Sequence, residues 1–402
     1  MNILVINCGS SSIKFKLFEM PDNVVVASGI VEKIGNKDAI VKYSKNGINH
    51  NEVREIYNHS QGLEIISTLL VDRVKGAVKN LNEIQGVGHR VVHGGEEFTG
   101  SMIIDEKVKE KIKEFIPLAP LHNPANLEGI LAAEKYFPES VQVACFDTAF
   151  HTTIPVVAYL YAIPYSMYEK YKIRRYGFHG TSHRYVARRF AQIMGRHKYD
   201  VNLITCHLGN GCSITAVKNG KSIETSMGFT PLEGLVMGTR SGDIDPGVIF
   251  YLVENLGMKP SEVNKILNKE SGLIGISGVS NDFRNIVESA SKGNKMAQLA
   301  IEIFCYRVKK YIGSYLAVLG RVDGIIFTAG IGENQPIVRE KSLEGLEEFG
   351  IIVDKGKNQN CLATEQEISS SESKIKIFVI PTNEELAIAS DTYEFTKSKG
   401  KF

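Results

Sequence analysis

The sequence predicts an α/β protein of two related domains. Three observations carry that prediction. The chain has 402 residues, more than a single hydrophobic core usually serves. Short apolar runs that read as buried strands alternate with amphipathic helical stretches. The opening pattern, a buried strand, a polar Gly-rich tip and a second strand, returns near mid-chain. "NILVINCGSSSIKFKLFEM" has its counterpart in "NLITCHLGNGCSITAVKNGKSIETSMG". Aligning Ser12-Ile13 on Ser213-Ile214 gives an offset of 213 − 12 = 201 residues, half the chain. Identity between the halves is low, so the shared hairpin design is what argues for duplication. Two such domains facing each other would bring both tips to one cleft.

The elements follow in order. "ILVI" is a short buried strand. "SIKFKLFEM" alternates Ile13, Phe15 and Leu17 against Lys14, Lys16 and Phe18, and pairs with "VVVASGIVEKI" through a turn at "PDN". "DEKVKEKIKEFI" repeats apolar residues at Val108, Ile112, Phe115 and Ile116, a helical period. "HNPANLEGILAAEKYF" opens a helix with Asn123 as N-cap and Pro124 at its first position. "TSHRYVARRFAQIMG" has Thr181 or Ser182 as cap and Gly195 as stop. "AQLAIEIFCYRVKKYIGSYLAVLG" is a long amphipathic helix ending at Gly320, and the strand "GIIFTAG" follows it. The expected domains are residues 1–149 with 385–402, and residues 150–384.

Composition narrows the function classes. Hydrophobic residues make up 43% and charged residues 23%, which suits a soluble globular protein. A net charge of +2 argues for neither nucleic acid nor an anionic membrane as partner. No long uncharged apolar run suits a spanning helix. The first apolar run ends at Ile6 and has no basic segment before it, so it is not read as a signal peptide. The six cysteines are scattered without a Cys-x-x-Cys pair, and read as small buried residues in a reducing cytoplasm.

Several motifs bear on chemistry. Both hairpin tips suit phosphate, because small residues let successive backbone N–H groups approach oxygens closely. Ser10, Ser12 and Lys14 add hydroxyls and a charge at the first tip, and Asn7 could reach a hydrated metal ion there. Taken alone, a single Gly-Ser loop reads better as a tight hairpin with solvent-facing serines. "NGKS" is not the end of a P-loop, since the required first glycine would be Thr215 and the segment reads as a hairpin turn. "GIIFTAGIGENQPIVRE" sets Gly330, Ile331 and Gly332 at a strand-to-helix junction where backbone can lie against a nucleotide. "SNDFRN" offers Asp282, Phe283 and Arg284, a set suited to ribose and purine or to an ordinary helix start.

Other motifs suit an anionic reacting group. "GHRVVHGGEEF" reads as a strand with His89, Val91 and His93 on one face and Arg90 and Val92 on the other. It has no metal-binding helix spacing. His179 in "RRYGFHGTSHRY" lies just before a helix N-terminus, placed to donate to a phosphoryl oxygen or to cap the helix. Arg240 in "MGTRSGDIDPG" is flanked by glycines and can swing onto a ligand or pair with Asp243 or Asp245. Asp147 in "VACFDTAFH" closes a buried strand, where carboxylates often line clefts.

Taken together, "NCGSSSIK", "GHRVVHGG", "CFDTAFH", "YGFHGTSH", "HLGNG", "GFTPLEGLVMGTRSGDIDPG", "FTAGIGEN" and "TNEELAIA" resemble the acetate kinase family, end to end and in order. The resemblance implies the actin/Hsp70/sugar-kinase superfamily, with two duplicated ribonuclease-H-like domains around a nucleotide cleft. It implies ATP + acetate ⇌ ADP + acetyl phosphate with Mg²⁺, or Mn²⁺ in its place, in a cytoplasmic homodimer. By motif, Arg90 and Arg240 would hold the carboxylate and the phosphoryl group. His179 would stabilise the transferring phosphoryl, and Asp147 occupies the catalytic acid/base position. Asn7 and Glu384 match the Mg²⁺ positions. Ser10, Ser12, Lys14, His207, Leu208, Gly209, Asn210, Gly211, Asp282, Phe283, Arg284, Gly330, Ile331, Gly332, Glu333 and Asn334 match nucleotide contacts. Val92, Leu121, Phe178 and Pro231 match a small pocket for the methyl group.

Elementary chemistry agrees with that reading. A carboxylate is already ionised at neutral pH, so its attack on phosphorus needs no deprotonation. Two anions must meet, and arginine forks, histidine donors and a cation answer that need. Asp147 is therefore expected to orient the metal, its water or Arg240 rather than to remove a proton. The rival readings are a propionate or butyrate kinase, which one methylene of pocket would decide, and an ATP-driven switch of the same fold. A switch has no use for Arg90, Arg240 and a methyl pocket.

Overall fold

The computed structural model describes residues 1–399, so the last three residues of the expected segment 385–402 lie outside the described residues. The chain divides into two compact units. One joins Met1–Ala149 to the segment that starts at Asn383, and the other is Phe150–Thr382.

The first unit is built on β1 (Asn2–Gly9), β2 (Ser12–Glu19), β3 (Val24–Glu32), β4 (Ala39–Lys45), β5 (Ile48–Arg54), β6 (Ile84–Val91), β7 (Met102–Ile103) and β8 (Val141–Phe146). They form one sheet in the order β5-β4-β3-β2-β1-β6-β8-β7. β1, β2 and β3 pair antiparallel, whereas β6 and β8 run parallel to β1. Helix Asn123–Tyr136 covers one face, packing on β1 and β6, and helix Glu384–Lys399 packs on β1, β6 and β8. The glycines of "IQGVGHRV" explain the close fit of the latter. A Cβ on Gly88 would fall 2.3 Å from Thr392 Oγ1 and 2.6 Å from Ile388 Cγ2. Leu4, Ile6, Ile13, Phe15 and Leu17 bury one core with Leu63 and Ile66, while Ile3, Val5 and Phe18 bury another with Ile388 and Ala389.

The second unit repeats the plan with β9 (Leu203–Leu208), β10 (Cys212–Lys218), β11 (Lys221–Thr225), β12 (Gly324–Thr328), β13 (Gln366–Glu367) and β14 (Lys376–Val379). Its order is β11-β10-β9-β12-β14-β13. β9, β10 and β11 pair antiparallel, and β12 and β14 run parallel to β9. The run β3-β2-β1-β6-β8 is thus reproduced as β11-β10-β9-β12-β14, strand directions included. Helix Gly180–Ile193 packs on β9, and helix Lys295–Leu319 packs on β10 and β9.

Two expected helix starts shift. Asn123 lies inside its helix, with His122 as the N-cap position, because its amide is engaged elsewhere. Helix Gly180–Ile193 is preceded by His179, so Thr181 and Ser182 sit in its first turn and not at its cap. The long helix ends where expected, at Gly320, with φ +70°. All six cysteines are free and buried.

Candidate active site

In the first unit, β1, β6 and β8 end at the same sheet edge, where residues beyond parallel strands are free to meet a ligand. The β1–β2 hairpin turns through Ser10 and Ser11, with Gly9 paired to Ser12, Asn7 to Lys14. Ser10 and Lys14 are exposed. At the end of β6, the Arg90 guanidinium grips Asp147: Nε donates to both carboxylate oxygens at 3.1 Å, and Nη2 donates to Oδ2 at 2.7 Å. Asp147 is only 1% exposed, and its own N–H donates to the Val91 carbonyl. Among the options expected for Asp147, orienting an arginine is realised, but the arginine it holds is Arg90.

Glu384 begins the returning helix, and its Oε2 stands 3.9 Å from Arg90 Nε. Burial raises the Glu384 pKa, Arg90 opposes that shift, and Asp147 and Glu385 add to it. Arg90 is held firmly charged, chiefly by Asp147, with burial opposing and Glu384 contributing. Glu384 also feels Lys14, the cross-strand partner of Asn7. A carboxylate that burial and like charges make costly to ionise suits a divalent cation. Of the two expected metal positions, Glu384 has that character, and Asn7 brings an amide side chain to the β1–β2 hairpin opposite Lys14.

β6 ends at Val91, so strict alternation does not extend to Val92 and His93. The Val92 N–H donates to Asn126 Oδ1 at 3.0 Å, and Asn126 Nδ2 donates to the Cys8 carbonyl at 2.8 Å. Asn123 brackets His93, accepting from its N–H and donating to its carbonyl. These two buried asparagines pin the segment after Arg90, and sequence reasoning assigned neither that task. Their spacing in "NPAN" on one helical turn was the available signal. Val92 is 9% exposed, whereas Leu121 is 67% exposed.

In the second unit, the β9–β10 hairpin turns through Gly209, Asn210 and Gly211. Asn210 is fixed by the "MGTRSG" loop: its carbonyl accepts from the Gly238 N–H at 2.9 Å. A Cβ on Gly238 would strike Asn210 Oδ1 at 1.9 Å, so a side chain there would displace the Asn210 amide. Arg240 is half-buried and donates to the Pro231 carbonyl at 3.0 Å, with Met237 Sδ at 3.6 Å. It forms no ion pair with a carboxylate among the described residues. Asp243 instead serves Gly234 and Tyr311, and Asp245 serves Gly247. Burial pushes the Arg240 pKa down.

His179 has φ +57° and ψ +23°, an uncommon left-handed conformation for a non-glycine residue. Its ring makes no cap hydrogen bond. It stacks on His207, centroids 4.1 Å apart, and Nδ1 lies 2.9 Å from Ser213 Oγ. An ideal Cβ on Gly211 would lie 3.4 Å from His179 Nε2 and 3.6 Å from Arg240 Nη1. The imidazole and the guanidinium therefore flank the same tip glycine. Leu208 and Phe178 are buried, and Phe178 offers its carbonyl to His151.

Beyond β12, Ala329 takes φ +63° and a short helix, Ala329–Asn334, follows. Glu333 Oε1 accepts from the Ala329 N–H at 2.7 Å and from the Thr382 N–H at 3.1 Å. Gly330 has no neighbour within 4 Å of a Cβ position, leaving its backbone approachable. Arg339, fully buried and missed in the sequence, donates to the carbonyls of Gly332, Glu333, Asn358 and Cys361. In the segment 282–284, Asp282 caps its helix and accepts from Arg284, whose side chain is 81% exposed. Phe283 departs from expectation. Its ring is buried against Phe304, 5.4 Å between centroids, because it lies on the core side of the helix, so its face is not presented to a purine.

Comparison with known proteins identifies the family. Residues 2–390 match the model of the Acetokinase family. An acetate kinase of Caldicellulosiruptor saccharolyticus is 54% identical over 393 residues, covering 98% of each chain. The crystal structure of Porphyromonas gingivalis acetate kinase superposes with a TM-score of 0.95 at 48% identity, over 98% of this chain and 99% of that one. A propionate kinase from Francisella tularensis gives 0.92 at 46% identity, with the same coverage.

Proposed function

This chain belongs to the acetokinase family, and from that membership we propose how its residues divide the work of the reaction. The reaction is the reversible transfer of the ATP γ-phosphoryl group to the acetate carboxylate. A carboxylate oxygen forms a bond to phosphorus, the bond from phosphorus to the bridging oxygen of ADP breaks, and no proton has to be removed. Catalysis then rests on positioning and on neutralising charge.

Arg240 carries the reading. It is a half-buried guanidinium with no carboxylate partner among the described residues, set beside His179 at the Gly211 tip. In this reading Arg240 and His179 donate to the equatorial oxygens of the phosphoryl group in flight. Arg90, aligned by Asp147, binds the acceptor carboxylate, and Val92, Leu121, Phe178 and Pro231 line its methyl group. Asp147 acts by orienting Arg90, since the acceptor brings no proton. Ser10, Ser12, Lys14, the 207–211 segment, Asp282, Arg284 and the 330–334 segment bind ATP. Asn7 and Glu384 would hold Mg²⁺, which when bound neutralises phosphate charge.

The family resemblance supports a cytoplasmic homodimer. No described helix is long and apolar enough to cross a membrane. Val157, Phe250, Tyr251 and Leu256 of the second unit are large apolar residues left exposed, which a second copy could cover. A hydroxamate assay for acyl phosphate, run with acetate, propionate and butyrate, tests the activity. Product with acetate and ATP is expected. ATP hydrolysis that ignores every acid would defeat the reading.

A further inference from the structure

Behind His179 lies a chain of hydrogen bonds with no evident structural need. His179 Nδ1 is 2.9 Å from Ser213 Oγ, Ser213 Oγ is 2.7 Å from His183 Nε2, and His183 Nδ1 is 2.7 Å from Thr205 Oγ1. Ser213, His183 and Thr205 are each 0% exposed, so water does not complete their bonding. The three links join β9, β10 and the first turn of helix Gly180–Ile193.

The proton count fixes the direction of this chain. Ser213 has one hydroxyl proton, and its side chain's partners are the two imidazoles. One ring nitrogen must accept that proton while the other donates its own. His183 is held neutral, since full burial drives its pKa well down and the nearby His151 and His207 act the same way. A neutral ring has one N–H and one bare nitrogen. If His183 carried its proton on Nδ1, Thr205 would accept it. The Thr205 hydroxyl would then be left with the Thr215 carbonyl at 3.5 Å, too long for a sound O–H···O bond. The opposite polarity satisfies every donor at 2.7–2.9 Å. Thr205 donates to His183 Nδ1, His183 Nε2–H donates to Ser213, and Ser213 donates to His179 Nδ1.

The geometry points to Thr205, His183 and Ser213 as a wire that holds neutral His179 in its Nε2–H tautomer, with that proton on the side of Gly211 and Arg240. The inference rests on the reading of His179 as a donor to the phosphoryl group and supplies the reason it can donate without being charged. A ring in the other tautomer would present a lone pair to a phosphate oxygen and repel it. The three wire residues are positioning residues. They touch no substrate and act through the ring they orient.

The test uses the full chain labelled with ¹⁵N-histidine, with the His179 signals identified by their loss in His179→Gln. Long-range ¹H–¹⁵N correlations report which ring nitrogen carries hydrogen. The wild type is expected to show His179 and His183 both protonated at Nε2. Thr205→Val keeps the shape and suits a strand but removes the first donor. It should leave both rings in mixed tautomers and lower kcat roughly ten- to a hundredfold, as loss of a supporting partner commonly does, with KM values little changed. Thr205→Ser, which keeps the hydroxyl, should restore both readouts, and Ser213→Ala should mimic Thr205→Val. His179 protonated at Nδ1 in the wild type overturns the wire, as does Thr205→Val with unaltered tautomers and kcat. Full turnover in His179→Ala would remove the phosphoryl role, while the wild-type tautomer still decides the wire by itself.

Discussion

Arg90 and Arg240 carry the same charge in two units that share one strand order, yet their surroundings differ. Arg90 is clasped by a carboxylate that is 1% exposed and has a second carboxylate 3.9 Å away. Arg240 has a backbone carbonyl and a thioether for company. The pairing of Arg90 fixes its direction and leaves little net positive charge. Such a group suits a ground-state anion that must be placed. Arg240 keeps its whole charge, partly stripped of water, which suits negative charge that develops during reaction. The two arginines also occupy different places in the repeated plan, Arg90 at the end of β6 and Arg240 in the loop after β11, so each position brings its own neighbours.

The sharpest way to break this comparison is to truncate Arg240. Arg240→Ala should lower kcat by roughly 10³–10⁵, the range for an arginine that stabilises phosphoryl transfer. Arg240→Lys should recover little, because an ammonium lacks the planar fork. Stability should fall by only about 1 kcal/mol, one hydrogen bond to a carbonyl. Near-normal turnover would show that its charge is not used.

Arg90→Ala should behave differently. It leaves Asp147 as a buried carboxylate without its partner, which typically costs about 3–5 kcal/mol. Urea denaturation should therefore separate the two arginine variants even if both are inactive. The double change Arg90→Met with Asp147→Leu should regain much of that stability without regaining activity, as apolar replacement of a buried pair often does. Equal stability of Arg90→Ala and Arg240→Ala would erase the distinction.

Glu384 sharpens the first unit's side of the comparison. If it holds Mg²⁺, Glu384→Ala should raise the half-saturating Mg²⁺ concentration by roughly tenfold or more, ~1.4 kcal/mol. If it serves only as a distant counter-charge to Arg90, the metal titration should stay put while the midpoint of unfolding moves.

How far the sequence reveals these features depends on the range of the interactions involved. The hairpin repeat is legible because alternation and turn residues are local signals, and the two sheets carry it through. β5, "INHNEVR", is mostly exposed at a sheet edge and has no apolar rhythm to detect. Site residue types at strand ends are legible as motifs, but their partners are not. Asp147 meets Arg90 across 57 residues, and Asn123 reads as a helix cap until the chain brings His93 against it from 30 residues away. Arg339 looks like a surface charge on a short helix, and only the fold shows it buried beneath the 330–334 segment. Phe283 fails for a related reason. An aromatic between Asp and Arg advertises a ligand, but the hydrophobic face of its helix claims the ring.

The smallest expected effect concerns the acceptor's methyl group. Regular alternation would put Val92 on the same face as Arg90, which would qualify it as a neighbour of the same substrate. The strand stops at Val91, however, and the Val92 backbone is held by Asn126 instead of by a strand partner. Its direction is thus set by the asparagine clamp and not by the pleat. Val92→Ala removes about two methyl-sized groups and no charge. Such a change should favour propionate over acetate by on the order of 1 kcal/mol, several-fold in the ratio of kcat/KM values. Overall turnover should survive, because Arg90 and its carboxylate clasp are untouched. A core valine would give the opposite pattern: an unchanged acetate-to-propionate ratio, with a loss of stability from the cavity left behind. Measuring both the ratio and the unfolding midpoint on one purified variant separates the two roles. A shifted ratio with a small change in stability would place Val92 at the substrate, and the reverse would place it in the core.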